Sequence, residues 1–494
     1  MAGKTKAVVG AHGGKSAGVR DDEREIAQEG GSAGVRDGSR AGVRKVTAEN
    51  VALYTIIVLV VALGALSQTA ANPMLPMLAA EFSVDLGLAQ WVTTGYMLVI
   101  GIIVPVATYL SRKVCLRTHF IIGMALFVAG AAADAFALDF AMLIGGRILQ
   151  ASAVGILMPL MQVIAVTRFP SNRVGTAMGV GGIALGFAPN FGPTFGAAME
   201  SAFGWRGFFV FLTALNALLL VVTLFLVKKD RAQVPAARFE FVSFLFSTLG
   251  FGALLIGVSN VSSAADYVLQ VALPIVVGIV FIVLFLRRQA LVDNPIMDLR
   301  MFESAQFNRG LLVMVLHFSA FMGLTMIIPL WVQNLCGGTS MDSGMVLLPA
   351  MIVALLMNPI AGILLDRFGI RPVVLGLSGF LIVGAFLEVT VTESTPFWQL
   401  ALYQAIRQFG IAGLIGPLQT WTLKGLEGPL ISDGSSTCIL FRQVGASAGA
   451  AVMVLLVSVV AAAGLGAAFS YQAAFAFSAA LVVVEVVLAL RFIR

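Results

Sequence analysis

Apolar runs of about 20 residues alternate with short polar stretches from Val51 to the end of the chain. An α-helix needs about 20 apolar residues to cross the hydrocarbon core of a bilayer, so each run is long enough to span a membrane. The pattern predicts fourteen membrane-spanning helices, numbered here as spans 1 to 14 in chain order: 51–72, 89–110, 119–138, 140–164, 175–199, 207–227, 240–260, 268–286, 310–333, 343–365, 373–392, 397–423, 439–463 and 470–490.

Composition indicates the same class of protein. Of the 494 residues, 59% are hydrophobic and 11% are charged, whereas soluble domains carry about 25% charged residues. The three cysteines, Cys115, Cys336 and Cys438, match neither a disulfide framework nor a zinc-binding spacing. No HExxH, P-loop or GxSxG motif occurs. We therefore expect an all-α integral membrane protein that is not an enzyme and needs no cofactor and no metal.

The distribution of charge predicts how the spans are oriented. With the N-terminus in the cytoplasm, the outward-facing loops carry seven acidic residues and a single basic residue, Arg206. The inward-facing loops and the C-terminus carry eighteen Lys and Arg residues, not counting the first 50 residues. Cytoplasmic loops of membrane proteins are enriched in Lys and Arg. Both termini are therefore predicted to be cytoplasmic.

The chain divides into four predicted regions. Residues 1–50 contain nine Lys and Arg, seven Asp and Glu, and the repeated sequence "SAGVRD" at 16–21 and 32–37. Such a segment buries too little apolar surface to fold, which predicts a disordered cytoplasmic tail. Beyond it we expect an N-terminal six-helix half at 51–227, two inserted membrane helices with their linkers at 228–290, and a C-terminal six-helix half at 291–494.

The division into halves is predicted from internal sequence repeats. The loop after span 2 reads "TYLSRKVCLRT" (108–118), and the loop after span 10 reads "GILLDRFGIRP" (362–372). Spans 4 and 12 each carry one arginine, Arg147 in "GGRILQ" and Arg407 in "AIRQFG". Paired halves that rock about a central site are the basis of alternating access in many secondary transporters.

Five motifs in order make the resemblance specific. The chain resembles the major facilitator superfamily, and within it the fourteen-span drug:proton antiporters that export multiple drugs and quaternary ammonium compounds. The resemblance rests on "GILLDRFGIRP", on "RILQASAVG" (147–155), on "GPTFGA" (192–197), on "LSQTAANPMLP" (66–76) and on "FRQVGASAG" (441–449). It covers everything except residues 1–50. It implies the major-facilitator fold, with two extra central spans, in a bacterial inner (plasma) membrane.

The segment "GFAPNFGPTFG" (186–196) resembles the antiporter motif of span 5. We expect Gly186, Gly192 and Gly196 to let a neighbouring helix approach closely. Pro189 and Pro193 should bend the helix, and neighbouring helices can bond to the carbonyls that the prolines leave free. In the family, the motif is thought to shape the interface between the halves. The alternative is the ordinary enrichment of Gly and Pro in membrane helices.

The loop after span 10 resembles the family's cytoplasmic gate. Asp366 can accept hydrogen bonds from amides at a helix N-terminus, Gly369 follows in the motif, and Arg367 and Arg371 can pair with acids or lipid phosphates. In the loop after span 2, Arg112 stands where the family has the acid, so a weaker or rewired gate is expected there. The alternative is that these charges only set the topology.

Polar residues inside the spans are candidates for substrate and proton handling. Arg147 and Gln150 lie one turn apart in span 4, Arg407 is their counterpart in span 12, and a structural ion pair is the alternative role. The family's acid in span 1 is Ser67 here, followed by Gln68, so neither side chain titrates. Arg147 and Arg407 are then expected to be poorly compensated, and Asn72 marks a bend in the same span.

The proton carrier must therefore be another residue. Asp134 and Glu388 lie toward the outer ends of their helices, where a hydrated surface acid is the alternative. His317 titrates in the right pH range, although a single histidine is often only structural. Glu485 lies in the last span, where packing or lipid contact is as plausible as transport.

The expected function is proton-coupled export of hydrophobic or amphiphilic compounds by alternating access. An uncoupled facilitator, or a translocase of lipids or anionic amphiphiles, is the alternative, because Ser67 replaces the acid. A sensor or scaffold would need a folded soluble domain, and an enzyme a cluster of catalytic groups at one membrane face, and we find neither. The expected partners are small amphiphilic substrates, protons and membrane lipids, with no nucleic acid, and the expected state is a monomer.

Overall fold

The structure is a computed structural model that describes residues 47–226, 240–259, 268–292, 295–464 and 466–493. Within these residues all regular secondary structure is helical. Residues 1–46 of the predicted tail lie outside the described residues, and so do residues 228–239 and 260–267 of the predicted inserted region.

The described residues form sixteen α-helices. In chain order, α1 to α16 are Ala48–Ala70, Leu75–Glu81, Leu86–Ala89, Trp91–Lys113, Leu116–Ala135, Phe140–Arg168, Val174–Gly182, Ala188–Leu226, Phe241–Ser259, Val268–Leu291, Ala305–Leu330, Ser340–Phe368, Ile370–Val389, Phe397–Lys424, Leu430–Ala462 and Ala467–Phe492. A π-helical turn at Ile183–Phe187 joins α7 to α8, a second one at Trp331–Leu335 follows α11, and Leu299–Glu303 is a 3₁₀ helix.

Eleven helical segments within the described residues are long and apolar enough to cross a membrane. The segment Val174–Leu226 has 53 residues and contains predicted spans 5 and 6. Its backbone leaves the helical conformation at Gly204, where φ is 71°, a conformation that favours glycine. The membrane helices of the structure therefore follow the predicted apolar runs, with spans 5 and 6 merged around one break.

The helices form two groups that share one large hydrophobic core. The N-terminal group is α1 to α8, in which α1 packs on α8 and α5 on α6, and the C-terminal group is α11 to α16, in which α12 packs on α14 and α11 on α15. Helices α9 and α10 pack on each other, and α9 also contacts α4 and α15. They expose apolar side chains, among them Phe241, Leu273 and Val276, as expected of helices that face lipid.

The first predicted span contains a bend. Helix α1 ends at Ala70, the chain turns over residues 71–74, and α2 begins at Leu75 with Pro76 in its first turn. Proline is favoured at that position because its missing N–H would have no partner there. Asn72 lies in this turn and is exposed. We call one end of the bundle the predicted cytoplasmic end: it is the end at which α1 begins and α16 ends.

Candidate functional site

Arg147 is buried inside the N-terminal group, where several acceptors converge on it. Its guanidinium donates to the Ser67 hydroxyl at 2.8 Å, the Ser67 carbonyl at 3.1 Å, the Val92 carbonyl at 3.0 Å and Gln150 Oε1 at 2.9 Å. The Tyr96 ring centroid lies 4.1 Å from the guanidinium carbon. Because arginine has five donors in a fixed planar fork, this one side chain ties α6 to α1 and α4.

Asp134 belongs to the same cluster. Gln150 Nε2 donates to Asp134 Oδ2 at 2.8 Å, and the Ser67 hydroxyl donates to Gln150 Oε1 at 3.0 Å. The Asp134 side chain is fully buried, and its Oδ1 atom has no hydrogen-bond partner. Its interpretation as a hydrated surface acid is therefore wrong, because the packing of α5 on α6 covers it. An amide connects the acid to Arg147.

A corresponding cluster lies in the C-terminal group. Arg407 Nη1 donates to Glu388 Oε2 at 2.7 Å, and Gln404 Nε2 donates to Glu388 Oε1 at 2.7 Å. Arg407 Nη2 also donates to the Ser478 hydroxyl at 2.8 Å and to the Ala320 carbonyl at 3.2 Å. Arg407 thus bonds to a backbone carbonyl of span 9 in the way that Arg147 bonds to the Ser67 carbonyl of span 1.

The second cluster corrects two expectations. Glu388 is 1% exposed, so the alternative of a hydrated surface acid is wrong for it as well. Arg407 forms an ion pair with Glu388, so the expectation that Arg407 is poorly compensated is also wrong. Of the other predicted residues nearby, Gln68 is half-buried at the end of α1, outside the set of side chains that contact Arg147.

His317 on α11 pairs with Glu485 on α16. Its Nδ1 atom lies 2.7 Å from Glu485 Oε1, and both side chains are buried. Its Nε2 atom lies 3.1 Å from the Ile411 carbonyl. Which ring nitrogen donates depends on the tautomer of the imidazole. The pair joins two helices through side chains 168 positions apart.

Asp366, at the end of α12, joins the C-terminal group to the N-terminal group. Its carboxylate accepts from the Gly175 amide at 2.7 Å, from the Thr176 amide at 2.6 Å and from the Thr176 hydroxyl at 2.6 Å. Gly175 and Thr176 lie in the first turn of α7, where amides lack partners within the helix and the helix dipole favours an anion. We call this set of contacts the Asp366 latch.

The rest of the predicted gate surrounds the latch. Gly369 ends α12 with φ at 81°, which only glycine adopts readily. Arg367 and Arg371 are exposed, and the Arg367 guanidinium lies 5.3 Å from the Phe368 ring. Arg112 is in the last turn of α4, but its side chain lies outside the part of the chain that the structure describes.

The loop after span 2 joins the groups in another way. Thr108 stands where the second loop has Gly362, and its hydroxyl donates to the Ser436 hydroxyl of α15 at 2.6 Å. Both side chains are buried. This contact between two hydroxyls lies four residues before Arg112, the position that matches Asp366, and the rewired gate stays a prediction.

A buried layer of amides and hydroxyls continues this interface toward the membrane centre. Gln162 Oε1 accepts from Gln419 Nε2 at 2.7 Å and from the Ser435 hydroxyl at 2.6 Å. None of these residues was among the predicted site residues, because they belong to no motif. A polar side chain inside an apolar span does itself indicate a functional or structural role. Within the described residues, the side-chain hydrogen bonds between the two groups lie in the halves of the helices nearer the predicted cytoplasmic end. This conformation is closed at that end.

The prolines of the antiporter motif leave a carbonyl that a neighbour uses. Pro193 has no N–H to donate to the Pro189 carbonyl, and the Thr69 hydroxyl of α1 donates to that carbonyl at 2.7 Å. The helix therefore keeps the carbonyl satisfied despite the proline, as expected for a membrane helix packed against a neighbour.

The glycines of the same motif face two different neighbours. Gly192 and Gly196 lie directly against the end of α1. The Thr69 hydroxyl and the Leu66 carbonyl leave no room for a side chain at Gly192, and the Ala70 backbone leaves none at Gly196. Gly186 instead faces Asn358 and Ile415 of the C-terminal group. The motif therefore shapes the interface between the groups through Gly186, whereas the other two glycines pack within the N-terminal group.

A small cavity lies on the other side of this buried layer. Residues of α11, α12 and α14, including Phe321, Met351, Gln408 and Arg407, line most of it, and Asn190 is its one lining residue from the N-terminal group. Six of its eleven lining side chains are apolar and five are polar. Among the described residues no three His, Cys, Asp or Glu side chains come together as a metal site.

At the far end of the N-terminal group, Arg206 has a structural partner. Glu81 accepts from Arg206 Nη1 at 2.5 Å and from Trp205 Nε1 at 2.6 Å. Burial opposes ionisation of Glu81, but these hydrogen bonds and the Arg206 charge outweigh it, so the pKa of the carboxyl lies below its usual range. The contact ties α2 to the start of span 6.

The chain matches the family model described as Major Facilitator Superfamily over residues 57–450. It is 35% identical to an MFS-type transporter of Bacillus subtilis, YcnB, over 80% of this chain and 83% of that protein. It is 30% identical to the lincomycin resistance protein LmrB of Listeria monocytogenes, over 80% of this chain and 84% of that protein. The human organic anion transporter MFSD10 has a similar fold, with a TM-score of 0.60, 17% identity and coverage of 89% of this chain and 99% of that one.

Proposed function

We propose, since this chain belongs to the Major Facilitator Superfamily, that it exports hydrophobic or amphiphilic compounds in exchange for protons. It is a transporter and not an enzyme, and a multi-pass protein of the plasma membrane, as its bacterial relatives imply. We propose its topology, its coupling to protons and its substrate class below from the contacts in the structure.

The observation that carries the proposal is the one-sided contact between the two groups. The Asp366 latch and the bonds of Gln162 join the groups at the predicted cytoplasmic end, while beyond them lies a small cavity lined by the C-terminal group and by Asn190 of the N-terminal group. A transporter that works by alternating access needs such a state, in which the site is closed to one side and faces the other. We therefore propose that the N-terminal and C-terminal groups are the two moving halves.

We also propose fourteen spans with both termini in the cytoplasm. Eleven apolar segments are long enough to span a membrane, and Val174–Leu226 counts twice because Gly204 breaks it. Two further helices bring the count to fourteen: Phe241–Ser259 and Phe397–Lys424. Gln404 and Arg407 make the second of these less apolar. The proposed regions keep the predicted boundaries: halves at 51–227 and 291–494, with 228–290 inserted between them.

Proton coupling is proposed on the His317–Glu485 pair. In this proposal the pair, whose atoms lie 2.7 Å apart, shares one proton between α11 and α16, and loss of that proton would leave a carboxylate facing the lone pair of a neutral imidazole. Deprotonation should therefore favour separation of the two helices, which links the proton to a change of shape. Asp134 and Glu388, which belong to the two arginine clusters, are the other candidates.

The substrates are proposed to be small amphiphilic compounds. A relative at 30% identity is named for resistance to lincomycin, and the cavity is lined by both apolar and polar side chains. Membrane lipids surround the proposed spans, nucleic acid has no proposed role, and the proposed state is a monomer. The alternative is an uncoupled facilitator or a translocase of lipids or anionic amphiphiles, which the absence of an acid at Ser67 favours.

The test is ethidium transport in proteoliposomes, with and without an imposed proton gradient. The proposal expects accumulation against a concentration gradient that a protonophore abolishes. The matched control is Arg147→Ala, which removes the centre of the first cluster and should abolish transport while the protein remains inserted. Transport that only runs down the ethidium concentration gradient and is independent of pH would contradict proton coupling and favour the uncoupled facilitator. No ethidium movement in the wild type would contradict the proposed substrate class.

A further inference from the structure

Arg442 is a buried arginine without an acidic partner. It lies on α15, in the motif "FRQVGASAG", and is 7% exposed. Its guanidinium carbon lies 4.9 Å from the Phe318 ring centroid, and Nη2 donates to the Met158 sulfur at 3.3 Å. Nη1 has no hydrogen-bond partner. Among the described side chains, no carboxylate lies within ion-pair distance of it.

The other two deeply buried arginines are satisfied differently. Arg407 has the Glu388 carboxylate, and Arg147 has four hydrogen bonds to oxygen atoms. An aromatic ring stabilises a desolvated cation only in part, and a thioether sulfur is a weak acceptor. Removal of a guanidinium from water is costly unless good partners replace the water. The contacts of Arg442 therefore leave its charge poorly compensated.

Arg442 lies between the buried layer that contains Gln162 and the residues that line the cavity. Ser435, two turns earlier on the same face of α15, bonds to Gln162 in the closed layer. On the other side, the Phe318 ring packs edge-on against the ring of Phe321, at 6.3 Å, and Phe321 lines the cavity. Arg442 thus lies just beyond the closed layer, with Met158 of the opposite group against it.

We propose that Arg442 binds the anionic group of an amphiphilic substrate, a carboxylate, sulfonate or phosphate, while Phe318 contacts its apolar part. The inference rests on the proposed function and gives that function its substrate class. Arginine presents paired N–H donors that match such oxyanions. When the predicted cytoplasmic end opens, Met158 moves away with its group, and the anion takes its place on Nη2. The site is then available from the side on which an exporter collects its substrate.

The experiment measures equilibrium binding of radiolabelled 2-naphthoate to the purified full chain in phosphatidylcholine nanodiscs at neutral pH. The neutral isostere 2-naphthamide is measured in parallel, and empty nanodiscs are subtracted. The wild type should bind the anion about tenfold more tightly than the amide, because hydrogen bonds to a charged group are stronger. In Arg442→Gln the affinity for the anion should fall to that for the amide, with amide binding unchanged.

Three further measurements test whether the anion binds at Arg442. Arg300→Gln, at an exposed arginine that pairs with Asp298 on the surface, is the matched control and should bind both compounds like the wild type. Asp366→Asn should raise anion affinity several-fold by freeing the predicted cytoplasmic end, and should not do so together with Arg442→Gln. Phosphatidylglycerol added to the nanodiscs distinguishes the source of the anion. Displacement of 2-naphthoate from both the wild type and Arg300→Gln supports a lipid headgroup as the natural anion, and displacement from neither supports a free amphiphilic anion.

The outcomes separate this inference from the proposed function. Equal affinity of the wild type for the anion and the amide overturns the inference, even if Arg442→Gln fails to fold. An unchanged anion preference in a folded Arg442→Gln variant overturns it as well. Because binding is measured without a gradient, a clear anion preference together with no proton-driven transport would uphold the site and contradict only the coupling.

Discussion

The Asp366 carboxylate accepts two hydrogen bonds of 2.6 Å from Thr176, one from its amide and one from its hydroxyl, across 190 positions of sequence. Together with the Gly175 amide, these bonds hold α12 against the first turn of α7. Hydrogen bonds to a charged group contribute about 1.5–3 kcal/mol each. Loss of the charge can therefore shift a balanced equilibrium between conformations at least tenfold.

Asp366→Asn should open the predicted cytoplasmic end more often. Cys438 is a natural reporter, because it is 1% exposed and lies on α15 between Ser435 and Arg442, on the face that contacts the opposite group. With Cys115 and Cys336 replaced by serine, the rate at which N-ethylmaleimide alkylates Cys438 should rise several-fold in Asp366→Asn.

The control for that experiment is Glu427→Gln, at an exposed acid of the same end of the bundle. It changes charge without removing a bond between the groups, so the alkylation rate should equal that of the parent protein. An equal rise in both variants would mean that local charge, and not the latch, governs access to Cys438.

The His317–Glu485 pair predicts a specific loss of coupling. His317→Gln can still bond to the Ile411 carbonyl and to Glu485, but it cannot bind a proton. Proton-driven transport should fall at least about tenfold, while exchange of substrate across the membrane at equal concentrations, measured as counterflow, should continue. The pH dependence of counterflow should become flatter.

His119→Gln is the matched control, since His119 is also buried but belongs to α5 and lies far in sequence from the pair. It should retain the pH dependence of the wild type. Full proton-driven transport in His317→Gln would remove the pair as the proton carrier and leave Asp134 and Glu388.

The ion pair of Arg407 and Glu388 predicts non-additive effects on stability. Both side chains are 1% exposed, and removal of one member of a buried pair costs about 3–5 kcal/mol because the other charge stays unpaired. Glu388→Gln should lower the free energy of unfolding in detergent by about this amount. The double variant Glu388→Gln with Arg407→Gln should recover a large part of it.

The surface pair offers the comparison for that cycle. Asp298→Asn leaves Arg300 in water, where the exposed side chain needs no partner, so unfolding should be unchanged. Equal losses in the Glu388 single variant and in the double variant would show that the pair does not behave as a coupled unit.

Gly196 predicts a steric cost that depends on its neighbour. A methyl group there would overlap the Ala70 backbone of α1, which cannot rotate away. Gly196→Ala should therefore destabilise the protein by about 1–3 kcal/mol, measured as the thermal midpoint in one detergent. Gly379→Ala is the control, because nothing lies within 4 Å of its added carbon, and alanine favours the helix by up to about 1 kcal/mol. The reverse order of midpoints would contradict the packing of α8 on α1.

Several features followed from the sequence alone because they depend on local physics. Apolar runs of membrane-spanning length predicted the helices, since backbone groups in lipid must bond within their own segment. Asn72 and Pro73 predicted the turn after α1, and Pro193 predicted a carbonyl that a neighbour must satisfy, which Thr69 does. The family itself could be recognised from five short motifs.

Only the tertiary structure decided which polar residues meet. His317 and Glu485 are 168 positions apart, and Glu388 reaches Arg407 only because α13 packs on α14. Sequence patterns give the depth of a residue in its helix and one face of that helix, but not the partner helix, because the rotation of each helix is set by packing with its neighbours. For the same reason the sequence alone does not distinguish the buried acids Asp134 and Glu388 from surface acids, and it does not show that Arg442 lacks an acidic partner.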